Sequence, residues 1–421
     1  MDLYGIITLL IVLTAAFSYI NYRFIRLPPT IGIMLMSMIC SLAIILIGIF
    51  DPALVQAPIR LIALLDFEHL LMRVLLSFLL FAGAIQIDVG KLKKELAPII
   101  TFATIGVLLS TVVVSVLMYF CFGVFGMSVP FIYCLLFGAL ISPTDPISVL
   151  GILKQAKIPS SLEIKISGES LFNDGVGVVV FATILEVAYL GTSHISAGQV
   201  AWAFLKEAGG GIIWGAMLGY TCIFLLRSIN QYQVEILITL ALVMGGYLLA
   251  TVLHISGPLA MVVAGLIVGN KKRHEVMSDT TGDHLGKFWE LLDEILNAFL
   301  FLIIGFELLI FSFDARIIYI GLAAIIIVLL ARFLSVFLPA NLLLFRRSFE
   351  RNMIPVLTWG GLRGGLSMAM ALSLPASMYR NEFVSITYII VVFSIMVQGL
   401  TIGKLARGMV SKQKNIQSTT P

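Results

Sequence analysis

Charge is what this sequence has least of. Only 12% of its 421 residues are Asp, Glu, Lys or Arg, while 60% are hydrophobic, against about 45 to 50% apolar residues in ordinary soluble domains. That balance excludes a water-soluble globule and makes lipid the solvent for most of the chain. Cysteine is nearly as scarce. Cys40, Cys121, Cys134 and Cys222 all lie in apolar runs without CxxC or zinc-type spacing, so they read as small packed residues rather than a disulfide frame or a metal site. His69, His194, His254, His274 and His284 fall at span ends or in loops, and the absence of HExxH or paired spacing removes the usual zinc-hydrolase signature. The amino terminus lacks the basic preface and small-residue cleavage site of an export signal, so the run from Leu3 to Ile20 is expected to be retained as a first span.

Apolar stretches near membrane-crossing length occur at 3–22, 30–49, 69–88, 96–122, 130–153, 164–190, 199–226, 233–253, 256–269, 288–312, 316–344, 353–375 and 384–406. The ninth is short enough to be tilted or partly re-entrant. The net charge of +4 suggests nucleic acid only until the basic residues are placed. Alternate loops carry Arg23 and Arg26; Lys91, Lys93 and Lys94; Lys154, Lys157 and Lys165; Arg227; Lys271, Lys272 and Arg273; and Arg346, Arg347 and Arg351. Lys404, Arg407, Lys412 and Lys414 extend the set to the tail, whereas the opposite loops hold little beyond Arg60, Arg73, Lys206, Arg316 and Arg380. This is the asymmetry of cytoplasmic against external loops. It predicts an all-α polytopic membrane protein of about thirteen spans in the cell (inner) membrane, amino terminus outside and carboxyl terminus cytoplasmic, with no nucleic-acid partner.

A charge at the centre of a membrane helix costs about 2.5 to 3.5 kcal/mol on insertion scales, so each one needs a partner or a function. The sixth span reads Glu169-Ser170-Leu171-Phe172-Asn173-Asp174. At about 100° per residue, Glu169, Ser170, Asn173 and Asp174 share a face about 140° wide. Asp174 lies nine residues beyond Lys165, or about 14 Å, close to the middle of a ~30 Å hydrocarbon core. The competing reading is a neutral, hydrogen-bonded structural acid.

The fifth span holds Ser142-Pro143-Thr144-Asp145-Pro146, and two prolines so close together remove backbone donors and unwind the helix. Freed carbonyls and the Thr144 hydroxyl suit a hard cation, while Asp145 is placed to neutralise the amino end of the second half-helix; a plain proline kink capped by Asp145 is the alternative. The twelfth span, Trp359-Gly360-Gly361-Leu362-Arg363-Gly364-Gly365-Leu366, is a glycine-interrupted helix with an internal cation. If the seventh span links two inverted six-helix halves, spans five and twelve correspond, and such paired broken helices point to a mid-membrane transport site. Arg332 in the eleventh span needs an anion, and Glu169 is the intramembrane carboxylate best placed to supply it. Glu235 and Glu307 read as interfacial.

At these residues the chain resembles bacterial sodium/proton antiporters of the monovalent cation:proton antiporter family, the branch that includes animal sodium/proton exchangers. The resemblance covers nearly the whole chain and rests on Thr144-Asp145-Pro146, the Glu169 to Asp174 motif, the Arg332 helix and Gly361-Leu362-Arg363-Gly364, in that order. It implies a secondary antiporter, not an enzyme, with Asp174 as the proton and cation carrier. Glu169, Ser170 and the Thr144 backbone would complete a sodium site, Asn173 and Asp145 would orient it, and Arg332 would pair with Glu169, leaving Arg363 as a further structural charge. It also implies a homodimer in which 96–190 and 316–406 form a mobile core against scaffold helices at 3–88 and 233–312, with 199–226 as linker and 407–421 as a short cytoplasmic tail. No cofactor is expected beyond the transported Na+ and H+, and exchange is expected to be electroneutral because Asn173 cannot titrate. Potassium/proton exchange on the same fold is the nearest alternative. An intramembrane aspartyl protease built on Asp145 and Asp174 is a different class, and the two prolines beside Asp145 argue against it. A passive channel would require a symmetric ring of carbonyls or carboxylates.

Overall fold

In hydrocarbon every backbone N–H and C=O must be satisfied within its own segment, so long apolar runs become helices. The computed structural model describes residues 3–51, 72, 75–145, 150–153, 156, 158–190, 197–271, 279–309, 314–342 and 353–419. Pro146, the basic residues at 154, 157, 272–273 and 346–351, Arg60, Arg73, His69, His194 and His274 lie outside the described residues.

In chain order the helices are α1 (Leu3–Ile20), α2 (Pro29–Phe50), α3 (Leu76–Gln86), α4 (Val89–Lys94), α5 (Leu96–Thr101), α6 (Val107–Val124), α7 (Phe131–Ile141), α8 (Ser160–Leu190), α9 (Ala197–Arg227), α10 (Tyr232–Val252), α11 (Gly257–Lys271), α12 (Asp279–Phe306), α13 (Ala315–Leu342), α14 (Ile354–Trp359), α15 (Gly365–Leu372), α16 (Arg380–Phe393) and α17 (Gly399–Thr419). A π-helical turn, Phe102–Gly106, joins α5 to α6, and another, Ser394–Gln398, joins α16 to α17. Among the described residues, eight continuous stretches are long and apolar enough to cross a membrane, and α3, α7 and α11 are shorter apolar helices. The long α12 and the broken pair α14–α15 complete thirteen crossing units, the number expected from the loops.

The packing separates two groups. In one, α2, α3, α9, α10, α11 and α12 pack together; in the other, α6, α7, α8, α13, α15 and α16 do. The short ninth span is a single continuous helix, α11, wedged between α9 and α3. Its neighbours explain how so short an element is held. Gly211, Gly215 and Gly219 of α9, four residues apart, lie against Ser256, Ala260 and Ala264, and on the other side Gly265 and Gly269 of α11 lie against the backbone of Phe81 and Ile85. Small residues at this spacing let helices approach closely in lipid, where packing rather than hydrophobicity drives association. The Phe78, Phe81 and Trp289 rings fill the space between α3 and α12, and the Trp289 Nε1–H donates to Thr239 Oγ1 of α10 at 3.1 Å. All four cysteines are free thiols.

Candidate functional site

Two interrupted helices meet in the interior. The first, α7, ends at Ile141, and the chain runs non-helically through Pro143, Thr144 and Asp145, becoming helical again by 150–153. The second breaks after α14, passes through 361–364, and resumes at Gly365 as α15. The breaks are tied together by their backbones: the Asp145 N–H donates to the Leu362 carbonyl at 2.8 Å. A side chain from each break serves the other helix. Arg363, 1% exposed, donates through Nη1 to the carbonyls of Ser142 and Pro143 at 2.5 and 2.8 Å, placing a cation at the negative carboxyl end of α7. Asp145 lies against Gly364, where even a methyl group would collide with its carboxylate, so the carboxylate sits at the positive amino end of α15. The amino end of the second half of its own span, which Asp145 is expected to neutralise, lies outside the described residues. The π-helical turn before α17 completes the junction, with Ser394 Oγ accepting from the Arg363 N–H at 2.9 Å and Gln398 Nε2 donating to the Trp359 carbonyl at 3.0 Å.

The polar residues of α8 divide between two sides of the helix. Glu169 and Asn173 turn inward. Both Glu169 oxygens accept from Arg332, at 2.5 and 3.1 Å, and Arg332 also donates to the Leu357 carbonyl at the end of α14. Asn173 and Thr144 form a reciprocal clamp: Asn173 Nδ2 donates to Thr144 Oγ1 at 2.8 Å, and the Thr144 N–H donates to Asn173 Oδ1 at 3.3 Å. Ser170 Oγ donates to the Thr144 carbonyl at 2.5 Å. These bonds lock α8 to the break after α7.

Ser170 and Asp174 instead border a cavity of about 1790 Å³. Ser160, Glu163, Ile164, Ser167, Ser170 and Asp174 line it, a stripe at helical spacing that runs from the first turn of α8 to Asp174. Arg23, Arg26, Asp88 and Lys91 also line it, so its mouth is on the face bearing the basic loops. Past Asp174 the helix is packed shut, with Gly175 against Leu259, Gly177 against the Pro143 ring, and Val178 to Phe181 buried. Asp174 therefore sits at the foot of a one-sided funnel, with Asp145 also on the wall and close enough to repel it.

Of the residues singled out in the sequence, Asp174, Asp145 and Ser170 share the cavity wall; Thr144, Asn173, Glu169, Arg332 and Arg363 form the bonded framework behind it. Thr144, Asn173 and Glu169 are not among the lining residues, and both Glu169 oxygens are engaged by Arg332. Sequence reasoning passed over Asp293 and Asn297 of α12, which line the same cavity; their spacing of four within an apolar span was the available signal. It also passed over the buried ion pair of Lys165 with Glu95 at 3.1 Å, which anchors the start of α8 to the α4–α5 junction. Glu235 and Glu307, read as interfacial, are buried at 1% and 7% exposure.

The comparisons with known proteins agree with this arrangement. The family model described as "Sodium/hydrogen exchanger, transmembrane" matches residues 10–408. The chain is 50% identical over 411 residues to the Na+/H+ antiporter NhaP of Pseudomonas aeruginosa, covering 96% of each. It is 31% identical to the Na+/H+ antiporter NhaH of Halobacillus dabanensis, covering 95% of this chain and 97% of that one. The solved sodium proton antiporter MjNhaP1 of Methanocaldococcus jannaschii superposes with a TM-score of 0.74 at 20% identity, over 97% of this chain and all of that one; at that identity the likeness speaks for the fold. A match across almost the whole length, together with a half-identical relative, makes this chain a member of the sodium/hydrogen exchanger family.

Proposed function

We propose that this protein exchanges Na+ for H+ across the cell membrane, with proton and cation competing for the Asp174 carboxylate at the foot of the funnel. The observation that carries the reading is the position of Asp174: open to the basic-loop face along one stripe of α8, and closed by packing on the other side. A carboxylate at that depth needs either a proton or a cation to balance its charge. Each satisfies the same oxygen atoms, so binding of one displaces the other, and the site changes sides carrying whichever it holds. Ser170 and Asp145 offer further oxygens on the same wall, and hard cations prefer such ligands. The Thr144–Asn173 clamp and the Glu169–Arg332 pair hold this wall in place.

The distribution of basic residues supports a cytoplasmic mouth, an external amino terminus and a cytoplasmic carboxyl terminus. The two packing groups support movement of the α6–α8 and α13–α17 set against the remainder, and assembly as a homodimer through that remainder follows from the family resemblance. In proteoliposomes, added sodium should collapse an imposed pH gradient with the native protein and leave it intact with Asp174→Asn, which keeps a polar group of equal size. Native exchange rates in that variant, once correctly inserted, would remove Asp174 from the mechanism.

A further inference from the structure

α12 also borders the cavity. On α12, Asp293 and Asn297 stand one turn apart and both line the funnel. Asn297 is 1% exposed, and its amide is fixed in orientation because Nδ2 donates to the Asp293 carbonyl at 2.8 Å and to Asp293 Oδ1 at 3.1 Å. The other end of that amide, Oδ1, is buried and finds no donor among the described residues. Asp293 has no basic partner within ion-pair distance among the described residues. A buried carbonyl oxygen without a donor costs about 1 to 3 kcal/mol, and a carboxylate in a mid-membrane cavity requires a countercharge. Their shared deficit is a positive group that takes oxygen ligands.

Their place in the path is set by the helix. Leu300 packs on Gly365 at the junction of the broken helices, and α12 begins on the basic-loop side after Lys271. Asn297 thus lies one turn short of the junction, and Asp293 about 6 Å nearer the mouth. Asp145 lines the same cavity as Asp293 and Asp174 and is close enough to repel both.

We propose that Asp293 and Asn297 form a second station for the monovalent cation, occupied on the way between the mouth and Asp174. Asp293 takes the partly hydrated ion, Asn297 Oδ1 replaces one of its waters, and repulsion between the aspartates is relieved as the ion passes from Asp293 past Asp145 to Asp174. This deepens the exchange reading and rests on it. Asp293 and Asn297 face the ion before it reaches the carrier carboxylate, so their removal weakens loading more than turnover.

The test uses the purified full-length protein in two assays: sodium-dependent proton movement in proteoliposomes, and retention of radioactive sodium by detergent-solubilised protein at equilibrium. Asp293→Asn should raise the sodium KM on the order of tenfold with a smaller change in maximal rate, and Asp293→Glu should restore most of the affinity. Asp174→Asn should still retain displaceable sodium, and adding Asp293→Asn to it should abolish that retention. Should Asp293→Asn not fold, Asn297→Ala supplies the same reading with a KM rise of about threefold. A sodium KM within about twofold of wild type in the folded variant, or no sodium retained by Asp174→Asn, overturns the station. Absence of sodium-driven proton movement in the wild type would remove the exchange reading and the staging role together, whereas normal exchange with an unmoved KM removes the station alone.

Discussion

Arg332 grips Glu169 with two parallel hydrogen bonds, Nη1 to Oε1 at 2.5 Å and Nη2 to Oε2 at 3.1 Å, and both side chains are buried. The pair joins α8 to α13, and through the Leu357 carbonyl it also holds the end of α14. Removing one member strands the other charge in the interior, at a cost of about 3 to 5 kcal/mol. Arg332→Met and Glu169→Gln should each lower the thermal midpoint in detergent, and the double variant should recover part of the loss. Strictly additive losses would show that the pair is not energetically coupled.

Gly361 and Gly364 are close approaches that the ion pair and the helix junction require. A Cβ at Gly361 would fall on the Arg332 guanidinium, and one at Gly364 on the Asp145 carboxylate. Neither partner can simply swing away: the Arg332 guanidinium is held by Glu169 and the Leu357 carbonyl, and the Asp145 Cβ, 2.7 Å from the added atom, is fixed by a backbone bonded to Leu362. Gly361→Ala and Gly364→Ala should each cost about 1 to 3 kcal/mol from overpacking. Of the two, Gly364→Ala should impair exchange more, since it displaces a group on the cavity wall. Wild-type melting behaviour in both would show that the junction relaxes.

These contacts mark where reading the sequence stopped. The spans, the two breaks and the Glu169 to Asp174 motif were legible because depth in a membrane is measured in residues along one helix, and because prolines and glycines interrupt helices locally. The partner of Arg332 was legible by elimination, there being few intramembrane carboxylates. By contrast, the division of the α8 stripe into a bonded side and a cavity side depends on where the broken helices fall against it, and the position of Asp145 at the end of α15 depends on two segments more than 200 residues apart in the chain. Asp293 was overlooked for a different reason. Glu290 and Glu294 beside it are exposed and border the same cavity, so the three acids read as a solvated face until the structure shows Asp293 partly buried and bonded to the Asn297 amide.

The membrane orientation is testable without any transport assay. The basic loops predict an external amino terminus and a cytoplasmic carboxyl terminus, as an odd number of crossings requires. A reporter active only in the cytoplasm should be silent when fused before Met1 and active when fused after Arg407. The reverse pattern, or equal activity at both ends, would invert or break the thirteen-span arrangement and with it the cytoplasmic assignment of the funnel mouth.

Exchange should be electroneutral, one proton for one monovalent cation, and the framework behind Asp174 gives the reason. Asn173, adjacent to it, is an amide engaged at both ends with Thr144, so it has no proton to exchange. Glu169 is the next acid on the helix, but Arg332 engages both of its oxygens, and the pair contributes no net charge when the core moves. In the proposed mechanism Asp174 then alternates between a proton and a cation, and its charge is balanced in both loaded forms. The expected result is obtained by varying the membrane potential with potassium and valinomycin while sodium and proton gradients are opposed in proteoliposomes. The null point should fall where the two gradients are equal, at every voltage. A null point that moves with voltage would mean that a second acid on the cavity wall, such as Asp145 or Asp293, also carries a proton through the cycle.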